Sequence, residues 1–190
     1  QEDFCQATGT SPSQKYEADG GPGIAAGLSL LASSVFAETD KMLFACAQLV
    51  FWLLAASDGH AKNFSIFLLP GSAFEMTPFY DVLSAWPVIG KGAGKRPYQE
   101  AKLAMGLRAK NMHRAMQEVQ PRHWRSLAAH TGNDATWPRM LQIVDDAPAA
   151  IDALLHKLPE AFPEQVAMSI ADGIKKHCKS FKAGLKAVGS

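Results

Sequence analysis

Two carboxylates, an amide and a cation lie close together in the middle of this chain. Asp58, His60, Lys62 and Asn63 fall within Ser57-Asp58-Gly59-His60-Ala61-Lys62-Asn63, and Asp81 follows at Phe79-Tyr80-Asp81. A hydroxyl nucleophile needs an acceptor within hydrogen-bond reach to take its proton, and Asp58 is such a group. Magnesium takes oxygen ligands, one or two of them from protein carboxylates and the rest from water and substrate phosphates. Asn63 and Asp81 can supply oxygens of that kind. Lys62 adds positive charge of the sort that stabilises a transferring phosphoryl group. Phosphoryl transfer is the chemistry to which these residue types point.

The flanking elements have to bring Asp81 back to the loop. Between Asn63 and Asp81, residues 64–69, a Pro70-Gly71-Ser72 turn and residues 73–77 read as a two-stranded hairpin. A hairpin returns the chain to its start, so Asp81 is expected beside Asn63. Upstream, an apolar helix through Ala56, with Thr39 as its N-cap and Asp40 in its first turn, mounts Asp58 on a buried element. An Asp in a loop, an Asn five positions on, a strand pair and a second Asp is also the order found in protein kinases. Competing readings remain for single residues. His60 either orients Asp58 or contacts substrate, or else donates to a backbone carbonyl, and Lys62 either meets phosphate or is solvated. Asn63 and Asp81 read singly as turn caps and, together with Asp58, as a metal-holding pair.

Five blocks extend the pattern: Asp58-Gly59-His60-Ala61-Lys62-Asn63-Phe64-Ser65, Thr77-Pro78-Phe79-Tyr80-Asp81, Lys102-Leu103-Ala104-Met105-Gly106-Leu107, Pro121-Arg122-His123 and the opening Gln1-Glu2-Asp3-Phe4-Cys5-Gln6. In this order they resemble the HipA family of bacterial serine/threonine kinase toxins, nearly end to end. The resemblance implies a mainly α chain, the helical C-terminal lobe of a protein-kinase-like fold with one short β-hairpin. On this reading residues 1–190 are that lobe, and the N-terminal nucleotide-covering lobe lies outside this chain, which alone is expected to be inactive.

The resemblance further implies ATP and Mg²⁺ as cofactors. Asp58 and Lys62 then stand as catalytic residues, with Gln1, His60, Asn63 and Asp81 on the nucleotide side and Asn63 and Asp81 on the metal. It implies a HipB-like antitoxin partner, operator DNA bound mainly through that antitoxin, and a protein substrate such as glutamyl-tRNA synthetase. A non-catalytic docking module for antitoxin or operator DNA is the rival reading, and a metal-dependent nuclease is a third.

Bulk properties set wider limits. Hydrophobic residues at 47% and charged residues at 19% suit a globular core rather than a disordered chain. A net charge of +1 argues against nucleic-acid binding over the whole surface. Cys5, Cys46 and Cys178 are scattered, so neither a disulfide framework nor a zinc knuckle is indicated and a reducing cytoplasm fits. The apolar run 42–56 is too short for the roughly 20 residues of a membrane span.

Elsewhere, residues 2–7 read as a helix end closed by Gly9, 10–23 as a loop and 24–36 as a helix. The run Gly90-Lys91-Gly92-Ala93-Gly94-Lys95-Arg96 reads as a substrate-side or mobile loop. From Gln99 onward the expectation is helical throughout: 99–105, 110–119, 121–130, 137–156 with Pro148 kinking or splitting it, and a last helix after Pro163. That helix turns Val166, Ile170, Ile174, Phe181 and Leu185 inward and leaves its lysines to solvent or nucleic acid.

Overall fold

The computed structural model describes residues 1–188, with side chains through Lys186. In chain order the elements are β1 (Glu2–Asp3), α1 (Phe4–Ala7), α2 (Ile24–Leu31), α3 (Ala37–Leu53), β2 (Ser65–Leu68) and β3 (Phe74–Met76). They continue with β4 (Lys102–Arg108), β5 (Met112–Ala115), α4 (Pro121–His130), α5 (Thr136–Leu155) and α6 (Glu164–Val188). Strands β1, β2 and β3 form an antiparallel sheet in that order, and β4 pairs with β5.

Apolar side chains on nearly every face make α3 a helix that other elements must surround. Phe44, Ala45, Leu49, Phe51, Trp52 and Leu53 are all buried. The helix starts at Ala37 with Phe36 at the cap position, not at Thr39. Asp40 lies in the first turn, as expected, and also ties this end down. Its carboxylate accepts from the Ser34 hydroxyl and, at 2.9 Å, from the Met76 N–H, so the start of α3 is tied to β3.

The other end of α3 delivers the loop that carries Asp58. Helix ends leave carbonyls without intrahelical partners, and here three consecutive ones are met by side chains. His177 Nδ1 donates to Trp52 O at 2.7 Å, Trp86 Nε1 to Leu53 O at 2.9 Å and Ser84 Oγ to Leu54 O at 2.7 Å. Ala55 adopts the left-handed conformation at φ +51, and the Ala56 N–H reaches back to Phe51 O at 2.8 Å. This is a Schellman ending with Ala where Gly is usual, so the helix stops short of Ala56.

His177 stacks on Trp52 at 4.1 Å and receives the Tyr98 hydroxyl on Nε2 at 2.7 Å. Burial pushes its pKa down to about 4. His123, buried on α4, is lowered to about 4 by burial, with the neighbouring His113 adding to the effect. An unfolded histidine titrates near 6.5, so between these values the unfolded chain binds more protons than the folded one. The stability present above pH 6.5 is therefore lost as pH falls toward 4, and His177 alone accounts for about 2 kcal/mol by pH 5. Thermal melts should show a lower Tm at pH 5 than at pH 7.5, with a shallower slope in His177→Gln; equal slopes in the two proteins would contradict this.

Several expected elements differ. Residues 99–105 and 110–119 are not helices but contribute β4 and β5, so the chain has a second hairpin. In β4 every residue from Leu103 to Leu107 is buried. Burial of both strand faces erases the alternation that marks a half-buried strand, and Leu, Ala and Met favour helix. Gly106 belongs there by close approach, since a Cβ would stand 2.4 Å from Met112 Sδ. Glu2 and Asp3 are strand rather than helix, α2 ends at Leu31 instead of 36, and α5 runs unbroken through Pro148. The hairpin at β2 and β3 and the inward placement of Ile174 and Phe181 on α6 are as expected.

Candidate functional site

Asp58 lies in the loop after α3, and its side chain is 56% exposed. Gly59 beside it has no room for a side chain: a Cβ there would stand 2.2 Å from the Phe51 ring. His60 is buried, and its backbone N–H meets Asn63 Oδ1 at 2.9 Å and Asp58 O at 3.0 Å. Its Nε2 is 3.8 Å from Asp58 Oδ1, beyond hydrogen-bond length, and its Nδ1 is buried without a partner among the described residues. Burial lowers the His60 pKa, Lys15 adds to that, and the pull of Asp58 and Asp81 is smaller. The imidazole is therefore neutral at neutral pH.

Asn63 is buried and donates from Nδ2 to Asp81 Oδ2 at 2.6 Å. The hairpin thus returns Asp81 to Asn63 as the spacing requires. Asp81 takes φ +54, a left-handed conformation rare for residues with side chains but tolerated by Asp. Strained backbone of this kind concentrates at functional sites. Tyr80 holds the arm in place: its hydroxyl donates to Lys62 O at 2.7 Å and meets Ser65 Oγ at 2.5 Å. Phe64, between Asn63 and Ser65, is fully packed against Phe44 at 4.8 Å and Phe4 and Phe51 at 5.6 Å, which anchors both sides of the site.

Lys62 pairs with a carboxylate of the first strand. Its ammonium donates to Asp3 Oδ2 at 2.7 Å, bracing β1 against the loop. Burial alone raises the Asp3 pKa, but the Lys62 bond and the Gln6 backbone N–H outweigh it and the net shift is downward. Gln1 is exposed ahead of β1, and no hydrogen bond among the described residues links it to Asp58, Asn63 or Asp81. Two participants were not legible as site residues. Tyr80 carries no signal of its own beyond its place before Asp81, and Tyr16, which donates its hydroxyl to Asp58 Oδ1, lies in a segment that reads as plain loop.

Asn63 and Asp81 fit magnesium. Each keeps acceptor capacity beyond the bonds described: a second lone pair on Asn63 Oδ1 and the Oδ1 of Asp81. No group of three or more His, Cys, Asp or Glu able to hold a metal occurs among the described residues. An ion held by one carboxylate and one amide oxygen must complete its shell with water and phosphate, which is magnesium's habit. On the Asp58 side, a cleft of about 430 Å³ is lined by Tyr16, Asp58, Arg96, Glu100 and Lys102 among others.

The fold is that of a solved HipA chain. It matches the Shewanella oneidensis MR-1 toxin–antitoxin complex of HipA, HipB and operator DNA with a TM-score of 0.80 at 22% identity, covering 98% of this chain and 44% of that one. A family model for the HipA-like C-terminal domain matches residues 1–155, and the chain belongs to that family. It is 28% identical over 185 residues to a putative kinase, Y4mE, of Sinorhizobium fredii, covering 94% of this chain and 41% of the relative. Over 96 residues it is 38% identical to the serine/threonine-protein kinase toxin HipA of Shewanella oneidensis, covering 43% of this chain and 21% of that protein. The chain spans less than half the length of these relatives.

Proposed function

We propose that this chain is the C-terminal catalytic lobe, protein-kinase-like in architecture, of a Mg²⁺/ATP-dependent serine/threonine protein kinase acting as the toxin of a toxin–antitoxin pair. One observation carries the reading: the hairpin brings Asp81 onto Asn63, at the end of a loop that presents Asp58 to an open cleft. ATP with magnesium supplies the transferable phosphoryl group and the charge neutralisation around it. Asp58 would accept the proton that the acceptor hydroxyl releases as its oxygen bonds to the γ-phosphorus, while the bond to the β–γ bridging oxygen breaks and ADP leaves. Asn63 and Asp81 offer the metal-facing oxygens. His60 stays neutral and buttresses the loop through its backbone N–H. Lys62 braces β1 through Asp3, and its ammonium keeps N–H donors beyond that bond for a phosphate. Gln1 is left for the nucleotide edge.

The family supports a HipB-like antitoxin as partner, with operator DNA reached through it, and a translation factor such as glutamyl-tRNA synthetase is the first acceptor to try. No helix among the described residues is long and apolar enough to cross a membrane. The three cysteines are free and buried, as a reducing cytoplasm allows. The full-length protein carrying this chain should transfer labelled γ-phosphate from ATP, and chelating the magnesium should stop it. Absence of transfer, together with salt-dependent binding of operator DNA by this chain, would favour the docking module instead.

A further inference from the structure

Asp58 is an exposed carboxylate on a loop, yet its orientation is set from a distant part of the chain. Tyr16 donates its hydroxyl to Asp58 Oδ1 and packs its ring edge-on against His60, with centroids 5.1 Å apart at 78°. The carboxylate raises the Tyr16 pKa to about 12, so the phenol remains a donor at working pH.

The backbone carrying Tyr16 is tied down on both sides. The preceding carbonyl, Lys15 O, accepts the Ala61 N–H of the catalytic loop at 3.4 Å. Tyr16 O accepts the Gly21 N–H at 2.9 Å and the Asp19 N–H at 3.0 Å. The following residue, Glu17, takes the Gly106 N–H of β4 at 2.8 Å and Arg114 Nη2 of β5 at 3.0 Å. Residues 15–17 therefore run as a strut from the β4–β5 hairpin to the catalytic loop, with the phenol at its tip and one wall of the cleft formed by it. Asp58 Oδ2 has no hydrogen bond among the described residues, and the carboxylate opens on that cleft.

We propose that Tyr16 is a positioning residue for phosphoryl transfer: its hydroxyl holds one oxygen of Asp58 so that the other is presented to the acceptor hydroxyl in the cleft. Holding a base in one orientation removes the rotamer search of an exposed side chain before each turnover. The effect belongs in kcat, because the Tyr16 hydroxyl bonds Asp58, and among the described residues no hydrogen bond joins it to Asn63 or Asp81. The inference rests on the kinase reading of the same site.

The test uses the full-length protein carrying this chain, with Mg²⁺/ATP and water as the acceptor, read as ADP release. Tyr16→Phe keeps the ring on His60 and removes only the hydroxyl, whereas Tyr16→Leu removes both. The expected result for Tyr16→Phe is a kcat lower by about tenfold or more, a KM for ATP within about twofold of wild type and an unchanged Tm. If the phenol merely packs, Tyr16→Phe keeps wild-type kcat and only Tyr16→Leu loses it, which overturns the proposal. A kcat that rises in Tyr16→Phe overturns it as well, since the hydroxyl would then be blocking the base. Asp58→Asn run alongside separates the two claims. Turnover retained in Asp58→Asn defeats the kinase reading itself, whereas turnover lost there but intact in Tyr16→Phe defeats only the positioning role.

Discussion

Replacing Asp58 by Asn should lower phosphate transfer from ATP by about 10²–10⁴-fold, the usual contribution of a positioned general base. The substitution preserves shape and removes the basic oxygen. It should leave the fold alone, because the Asp58 side chain is 56% exposed and its polar contacts are the Tyr16 hydroxyl and His60 at 3.8 Å. Binding of magnesium and nucleotide should survive, since Asn63 and Asp81 are the residues proposed for those roles. Rates of labelled-phosphate transfer and thermal melts on the same preparations check both halves. Wild-type turnover in the variant would remove Asp58 from the chemistry.

Asp81→Asn should act on the metal instead. The position has φ +54, which Asn tolerates about as well as Asp, so backbone strain does not confuse the outcome. The change removes the only charge that the pair with Asn63 offers and sets two amides facing each other where the structure has an amide donating to a carboxylate at 2.6 Å. Losing an outer-shell partner of a metal ligand already costs about 10–100-fold in affinity. Loss of the ligating carboxylate should therefore raise the magnesium concentration for half-maximal turnover by at least that factor. A magnesium titration of activity measures it, and an unchanged midpoint would place the ion elsewhere.

The parts of this site that were legible in the sequence are those joined by short chain paths. Asn63 and Asp81 meet because a hairpin with a Pro-Gly turn has only one way to return, and Asp58 shares their loop. Tyr16 was not legible, since its partner lies far along the chain and only the strut between Ala61 and Gly106 brings it there. Lys62 reads as a phosphate contact or a solvated lysine, and as catalytic by the family resemblance, whereas Asp3 takes its ammonium from a strand that reads as helix. The same limit hid the carbonyl caps on α3, where His177, Trp86 and Ser84 arrive from separate segments. The misread second hairpin has a different cause: β4 is buried on both faces and built from helix-favouring residues, so neither its period nor its composition betrays a strand.

The central claim is that Asn63 and Asp81 together hold magnesium for a nucleotide that Asp58 then serves. Calorimetric titration of ATP into the full-length protein carrying this chain, with and without Mg²⁺, tests it most directly when wild type, Asp58→Asn and Asp81→Asn are compared. The account predicts that magnesium strengthens ATP binding in wild type and in Asp58→Asn and that this increment disappears in Asp81→Asn. An increment that persists undiminished in Asp81→Asn, in a protein shown by its melt to be folded, would contradict it.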